Sequence, residues 1–323
     1  MQNLFICHTL YHVLIALLRT LRGKPSFLVL SMAVPGAANL AETLRATGHF
    51  AGVQVVDEAA LDRQNAESSI YRVLHTGKPS CFALPRKKQD LRVYISNDWS
   101  ALGRFLQHEH IPYILCEDTL GGTLDPDQHL LVEQRAASDF AARRRGSGYF
   151  YWGDSRFCVA VESEDAFKCR IFPEKKLITY SKAALLASLT EAEKAAVLAV
   201  FVPKPLPGDA AVYARATLLL PRSLVEDRLA DQATQNRIFR AVAAKYADGP
   251  LFIKTHPRDA TDYEALFPTA TVLPRFMPSE VLNFCLPHKF RRAVTVQSWV
   301  LRGFTGAQEN IFLTLDEAKE LLA

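Results

Sequence analysis

Four short segments of the chain gather groups able to move a proton or hold an anion. In Cys116-Glu117-Asp118-Thr119-Leu120-Gly121-Gly122, two carboxylates close an apolar, strand-like run and two glycines follow. At the carboxyl end of a strand both acids reach a ligand-binding edge, and the glycines let backbone approach a ligand closely. Adjacent carboxylates raise each other's pKa, which suits Glu117 or Asp118 to general-base work. A solvated turn after a strand has the same composition, so both readings stand. In Phe252-Ile253-Lys254-Thr255-His256-Pro257-Arg258-Asp259, a strand delivers Lys254, His256 and Arg258, and Pro257 stiffens the chain beyond it. Such a cluster suits a phosphate: it can neutralise charge gathering on a departing nucleotide while His256 donates a hydrogen bond or a proton. A single histidine at a strand end is also an ordinary structural residue.

In Thr295-Val296-Gln297-Ser298-Trp299, a strand runs into a helix expected to start near Ser298. Free amides and the positive dipole end would make a second anion site there, with Gln297 and the Ser298 hydroxyl beside it. Ser298 would equally serve as a plain N-cap. In Met277-Pro278-Ser279-Glu280, Pro278 would begin a short helix with Glu280 in its first turn. The helix dipole favours a carboxylate there in any case; in a nucleotide site Glu280 could accept hydrogen bonds from ribose hydroxyls.

No metal site is expected. The nine histidines offer no HExxH motif and no Cys/His knuckle, and Asp125-Pro126-Asp127 reads as a proline turn rather than a metal-binding DxD. His108 and His110 read as surface residues of a helix end. The six cysteines form no CxxC pair and read as buried thiols of a reducing compartment. Arg143-Arg144-Arg145, followed by Gly146-Ser147-Gly148, is either a solvated loop or a contact for an anionic acceptor or membrane surface.

The elements that must position these groups follow an α/β alternation. Asn3 to Cys7, Ser26 to Ser31, Val53 to Val56, Arg92 to Ser96 and Tyr113 to Cys116 predict strands; Leu10 to Leu21, Gly36 to Thr47, Glu67 to His75 and Ser100 to His108 predict helices. A capping-box start at Ser188 or Thr190 predicts a helix to about Val202, and the Pro203-Lys204-Pro205-Leu206-Pro207-Gly208 segment then predicts an interdomain linker. Beyond it, Ala211 to Leu220, Leu251 to Lys254, Thr271 to Leu273, Arg292 to Val296 and Ile311 to Thr314 predict strands, with helices over Gln232 to Tyr246 and Tyr263 to Phe267. The expectation is two Rossmann-like domains, 1–203 and 208–323, facing each other across a cleft toward which strand carboxyl ends point. That architecture alone would also permit an epimerase or a periplasmic-type binding protein.

The totals agree with a folded two-domain chain. Its 323 residues exceed what one core usually organises, and 49% apolar with 22% charged residues excludes a disordered or fibrous chain. A net charge of +4, spread along the chain, argues against nucleic acid as a partner. Met1 to Arg22 lacks the basic start of a signal peptide and is interrupted by His8, Thr9, Tyr11 and His12. A cytoplasmic protein is expected, with a peripheral place on the cytoplasmic face of the inner membrane left open, as is an oligomer.

Taken together, Cys7-His8-Thr9-Leu10-Tyr11-His12, Glu117-Asp118 with its glycines, His256-Pro257-Arg258-Asp259, Pro278 with Glu280, and Ser298 resemble the bacterial lipooligosaccharide sialyltransferase family, glycosyltransferase family 52. More distantly they resemble other bacterial sialyl- and polysialyltransferases. The resemblance implies the GT-B architecture, a CMP-activated sialic acid donor, an oligosaccharide or glycolipid acceptor, inversion at the anomeric centre and no metal or other cofactor. On that likeness Glu117 corresponds to the base, with Asp118 second to it. His256 corresponds to the residue serving the CMP phosphate, with Lys254, Arg258 and Gln297 beside it; Ser298 corresponds to a phosphate-binding hydroxyl and Glu280 to a ribose contact. The usual acid-acid-glycine triplet is interrupted here by Thr119 and Leu120. Two rivals stand beside this reading: the same architecture with CMP-Kdo or a UDP- or GDP-hexose as donor, and a non-catalytic nucleotide- or glycan-binding protein of capsule assembly.

Overall fold

The computed structural model describes residues 1–63, 82–118, 152–164, 174–202 and 204–322. The expected helix over Glu67 to His75, the Asp125–Asp127 turn, the Arg143–Arg145 run, Thr119 to Gly122, Cys81 and Cys169 lie outside the described residues. The chain forms two compact units, Met1–Ser188 and Leu189–Ala323.

The first unit is built on a parallel sheet of seven strands: β1 (Gln2–Cys7), β2 (Phe27–Ser31), β3 (Gly52–Val56), β4 (Leu91–Ile95), β5 (Tyr113–Cys116), β6 (Cys158–Ser163) and β7 (Leu177–Thr179), in the order β3-β2-β1-β4-β5-β6-β7. Helices α1 (Leu10–Leu21), α2 (Ala37–Thr47), α3 (Ala101–His108) and α4 (Lys182–Ala187) belong to it. The interior strand β1 is buried along Leu4, Phe5, Ile6 and Cys7, as a parallel strand covered on both faces must be. The strand order reverses between β1 and β4, where loops from adjacent carboxyl ends diverge and leave room for a ligand. The Thr9 hydroxyl caps α1 by accepting from the His12 amide, so the helix starts directly after the β1 loop and carries His12 in its first turn. Sequence periodicity placed α1 and β5 at these bounds, but it gave no warning of β6, β7 or α4.

The second unit holds a five-stranded parallel sheet, β8 (Thr217–Leu220), β9 (Leu251–Ile253), β10 (Thr271–Val272), β11 (Phe290–Val296) and β12 (Ala307–Leu313), in the order β10-β9-β8-β11-β12. Its helices are α5 (Glu191–Phe201), α6 (Ala210–Tyr213), α7 (Gln232–Tyr246), α8 (Tyr263–Leu266), α9 (Ser279–Phe284) and α10 (Leu315–Glu320). Leu219, Ile238, Phe239, Val242, Ile253, Val294 and Val296 form its core.

Three sequence expectations change here. The stretch expected as strand from Ala211 begins instead as α6, because the Asp209 carboxylate caps it through the Ala211 and Val212 amides at 3.0 and 3.1 Å. Helix α5, with its Thr190–Glu193 capping box, packs on α9 and belongs to the second unit although it precedes the proline-rich segment. The helix expected from Ser298 is a single 3-10 turn, Trp299–Leu301. A turn that short carries no appreciable macrodipole, so the anion-site argument built on a helix start there fails. Among the described residues, no helix is long and apolar enough to cross a membrane.

Candidate functional site

In each unit the chemically capable side chains collect at the carboxyl ends of the parallel strands. In the first unit the Glu117-Asp118 pair extends β5, and its two carboxylates have opposite environments. Glu117 is buried, and its Oε2 accepts from the Glu164 amide at 2.6 Å and the Ser163 hydroxyl at 3.4 Å, both from the end of β6. Its backbone carbonyl takes the ammonium of buried Lys182. Asp118 is more than half exposed, at 55%, and its Oδ1 lies 2.7 Å from Nε2 of His12. With the Asn97 amide turned so that both of its atoms find complementary partners, Asn97 Nδ2 donates to the same Oδ1 at 3.2 Å. Burial raises the Asp118 pKa, but the His12 hydrogen bond and the His12, Lys182 and His8 charges outweigh it and hold the carboxyl below its ordinary value.

The His12 ring is fixed at both nitrogens. Nδ1 accepts from the His8 amide at 3.2 Å, so the neutral ring carries its proton on Nε2 and gives it to Asp118. Burial keeps the imidazole below its usual pKa despite the Asp118 charge. His8 itself lies against Glu58, Nε2 to Oε1 2.9 Å, without hydrogen-bond alignment, and its buried Nδ1 finds no partner among the described residues. A small open pocket runs along α1, lined by Tyr11, His12 and Arg19 on the helix and by Cys116, Glu117 and Lys182 opposite. Arg19 pairs with Glu162 and stacks over Tyr180, 3.8 Å from the ring centroid.

After β4, buried Asp98 gathers the Trp152 and Gly153 amides at 3.0 Å each and the Tyr113 hydroxyl at 3.2 Å. It thereby ties the returning chain to the carboxyl end of β4, beside the point where the strand order reverses.

In the second unit the cations expected to act together separate. Lys254 is buried, and its ammonium donates to the carbonyls of Thr255 and Arg275 at 2.5 and 3.1 Å. Burial lowers its pKa to about 8 against the opposing pull of the Glu280 charge. It braces the loop rather than facing solvent. Glu280, raised by burial, is the charge that Lys254 senses. His256 accepts on Nδ1 from the Arg258 amide at 3.1 Å, leaving its proton on Nε2; burial, then the Arg258 and Lys254 charges, push its pKa down. Arg258 is 60% exposed and reaches Asp227 Oδ1 at 3.2 Å. Arg222 donates Nε to Asp227 Oδ2 at 2.6 Å and a second nitrogen to the Gln297 carbonyl. One carboxylate thus joins the segments after β8 and β9, and Arg222 carries the link to the segment after β11.

Gln297 adopts φ 51, a left-handed conformation costly for a residue with a Cβ, and its side chain accepts from the Leu315 amide at 3.1 Å. Its amide therefore caps α10, and what it offers the cluster is its backbone carbonyl. Ser298 Oγ accepts from the Val300 amide at 3.3 Å. Among the described residues, no group of three or more His, Cys, Asp and Glu side chains could hold a metal ion. Cys7, Cys116, Cys158 and Cys285 are free thiols, and burial raises the pKa of each.

Asp98, Lys182, Arg222 and Asp227 were missed in the sequence. The usable signal was position: Asp98 and Arg222 stand within three residues of the carboxyl end of an apolar strand, where parallel sheets display function.

No family model matches the chain. An uncharacterized protein of Haemophilus influenzae is 36% identical over 81 residues; the match covers 25% of this chain and 26% of that protein, so the chain aligns with about a quarter of its curated relative. Among solved structures, the α/β-galactoside α-2,3-sialyltransferase of the luminous marine bacterium Photobacterium phosphoreum is similar with a TM-score of 0.52 and 12% identity, over 99% of this chain and 93% of that one. Arabidopsis thaliana UGT89C1, complexed with UDP, is similar with a TM-score of 0.50 and 11% identity, over 100% of this chain and 90% of that one. At such identities the likeness is one of fold, and it places the chain's two parallel α/β sheets in the GT-B class.

Proposed function

We propose that the chain is a glycosyltransferase that moves a nonulosonic acid, sialic acid foremost, from a CMP-activated donor to a hydroxyl of a lipooligosaccharide or capsule glycan, inverting the anomeric centre without a metal. The observation that carries this reading is the charge balance of the second-unit cluster. Two guanidiniums, Arg222 and Arg258, share one carboxylate, Asp227, and the opposite charges of Lys254 and Asp259, which His256 also senses, offset each other; one positive charge is left beside a neutral His256 whose Nε2–H has no acceptor among the described residues. The phosphodiester of a CMP-sugar carries one negative charge, whereas the diphosphate of a UDP- or GDP-sugar carries two. The fold is similar both to a sialyltransferase and to a UDP-complexed plant protein, so the choice of donor rests on this charge balance.

In this reading the acceptor hydroxyl gives its proton to Oδ2 of Asp118, which accepts no hydrogen bond among the described residues, as its oxygen bonds to the anomeric carbon. The bond from that carbon to the phosphate oxygen breaks, and CMP leaves with the electron pair. Arg222, Arg258 and His256 stabilise the second charge that develops on the departing phosphate. The base is Asp118 rather than Glu117, because the Glu117 carboxylate is buried against the backbone of β6.

Thermal unfolding with CMP, CDP, UDP and GDP, followed by mass analysis of products from CMP-sialic acid and CMP-Kdo with a glycan acceptor panel, tests the proposal. A ligand at 100 times its Kd stabilises by about 2.7 kcal/mol. CMP should give the largest shift, unchanged by EDTA, with sialylated product. A larger response to UDP or GDP would reassign the donor, and no response to any nucleotide would end the enzymatic reading.

A further inference from the structure

Most of the site's parts sit after a strand, but His12 sits in the first turn of a helix. We propose that His12 is a positioning residue that, with Asn97, holds Oδ1 of Asp118 and turns Oδ2 outward to take the acceptor's proton. This deepens the proposed function and rests on it for the meaning of the proton transfer, though not for the existence of the pairing.

Three observations carry it. His12 is 4% exposed against 55% for Asp118, so the donor is a fixed part of the interior and the acceptor is not. Both ring nitrogens are committed: the His8 amide occupies the Nδ1 lone pair, and Nε2–H faces Asp118, reaching its carbonyl at 3.0 Å as well as Oδ1. The ring therefore has no lone pair left for an acceptor hydroxyl, which rules out His12 itself as base in this geometry and leaves it as an orienting donor. Finally, two donors converge on Oδ1 while Oδ2 accepts no hydrogen bond among the described residues. A carboxylate pinned through one oxygen loses rotational freedom without losing the lone pairs of the other, which is what a general base needs.

The charged groups around the pair are His8 after β1, with Glu58 behind it, Glu117 next in the chain, and Lys182 at the start of α4. All remain when His12 is replaced, so a change in Asp118 titration belongs to the lost contact.

Three variants separate positioning from simple structural support. His12→Asn places its amide too short to reach Asp118, His12→Gln restores a donor near the Nε2 position, and Asp118→Asn removes the base. His12→Asn should lower kcat about tenfold to a hundredfold, the usual effect of removing an orienting partner, with the KM for the CMP-sugar unchanged. Its acid limb should move to higher pH, since the hydrogen bond that favours the charged carboxylate is gone. His12→Gln should recover most of both losses, and Asp118→Asn should have no turnover while CMP binding survives. In parallel, the Asp118 carboxyl is titrated by 13C NMR in wild type and His12→Asn, a readout that needs no turnover. An unmoved Asp118 pKa, or His12→Asn with wild-type kcat and pH profile, would overturn the proposal. A raised Asp118 pKa in a protein that transfers from no CMP-sugar would uphold the pairing and remove the function proposed above.

Discussion

Asp98 allows the structure to be tested through a single titration. Its carboxylate is 1% exposed, and burial, opposed by its three donors, raises its pKa from the ordinary 3.8 to about 6. The donors are the Tyr113 hydroxyl and the amides of Trp152 and Gly153, two consecutive residues in left-handed backbone at φ 58 and 80. A shift of about 2 units is worth about 3 kcal/mol between protonation states. For an acid whose folded pKa is raised, the folded state binds more protons than the unfolded state between the two values. Its contribution to stability is therefore complete below pH 3.8 and lost as pH rises through about 6. Integrated from pH 7 down to pH 5, the gain is about 1 kcal/mol. Asp98→Asn forfeits one amide partner, about 1–3 kcal/mol, and sheds the cost of the buried charge, about 3 kcal/mol, so at pH 7 the two changes nearly cancel. The assay is urea unfolding followed by tryptophan fluorescence in a Trp299→Phe background, which leaves Trp99 and Trp152, both flanking Asp98, as reporters of the first unit. Wild type should gain about 1 kcal/mol over Asp98→Asn between pH 7 and 5. A difference that is constant with pH, or that moves the other way, would refute the assignment of a buried, late-titrating carboxylate.

Two further perturbations follow from the same edges of the sheets. A Cβ on Gly103 would lie 2.2 Å from the Asp98 carbonyl oxygen and 2.4 Å from its carbonyl carbon, backbone atoms that cannot swing aside. Gly103→Ala should therefore cost about 3 kcal/mol and lower the first-unit melting temperature by about 10 °C, read in the same Trp299→Phe background, while the second unit is unaffected. In the second unit, Arg222→Lys keeps the charge but loses the fork that reaches Asp227 and the Gln297 carbonyl together. CMP affinity by calorimetry should fall about tenfold with little change in melting temperature. Unchanged affinity would remove Arg222 from the phosphate cluster.

The apolar runs within β1, β2 and β5 announced themselves in the sequence because the stretch of a parallel strand buried on both faces must be apolar. β7, with two of its three residues exposed, gave no such signal. The stretch before β8 was misread for a related reason: Ala210 to Tyr213 has no periodicity long enough to separate helix from strand, and the Asp209 side chain decides between them. The cationic segment after β9 was recognisable by composition, but composition says nothing of direction. Lys254 is turned inward onto two carbonyls, and the second guanidinium comes from Arg222, thirty-two residues before Lys254. Asp227, which holds that guanidinium and Arg258 together, lies in a loop whose sequence advertises nothing.

The adjacent acids show how far local rules can go when the period is followed past the strand. β5 and its extension bury Tyr113, Leu115 and Glu117 in turn, while Ile114, Cys116 and Asp118 are more open. A period of two therefore sends neighbouring carboxylates to opposite faces, and only one of them can meet the first turn of α1. The burial alternation assigns Glu117 to the side of Tyr113 and Leu115, which pack in the core with Leu102, Phe105 and Leu106 of α3. Asp118 falls on the side of Cys116 and meets His12 in the first turn of α1, while Glu117, whose carboxylate turns to β6, also borders the α1 pocket. Two residues that a motif treats as interchangeable are thus given different surroundings by strand parity: one ties β5 to β6, and the other keeps one carboxylate oxygen without a hydrogen bond among the described residues.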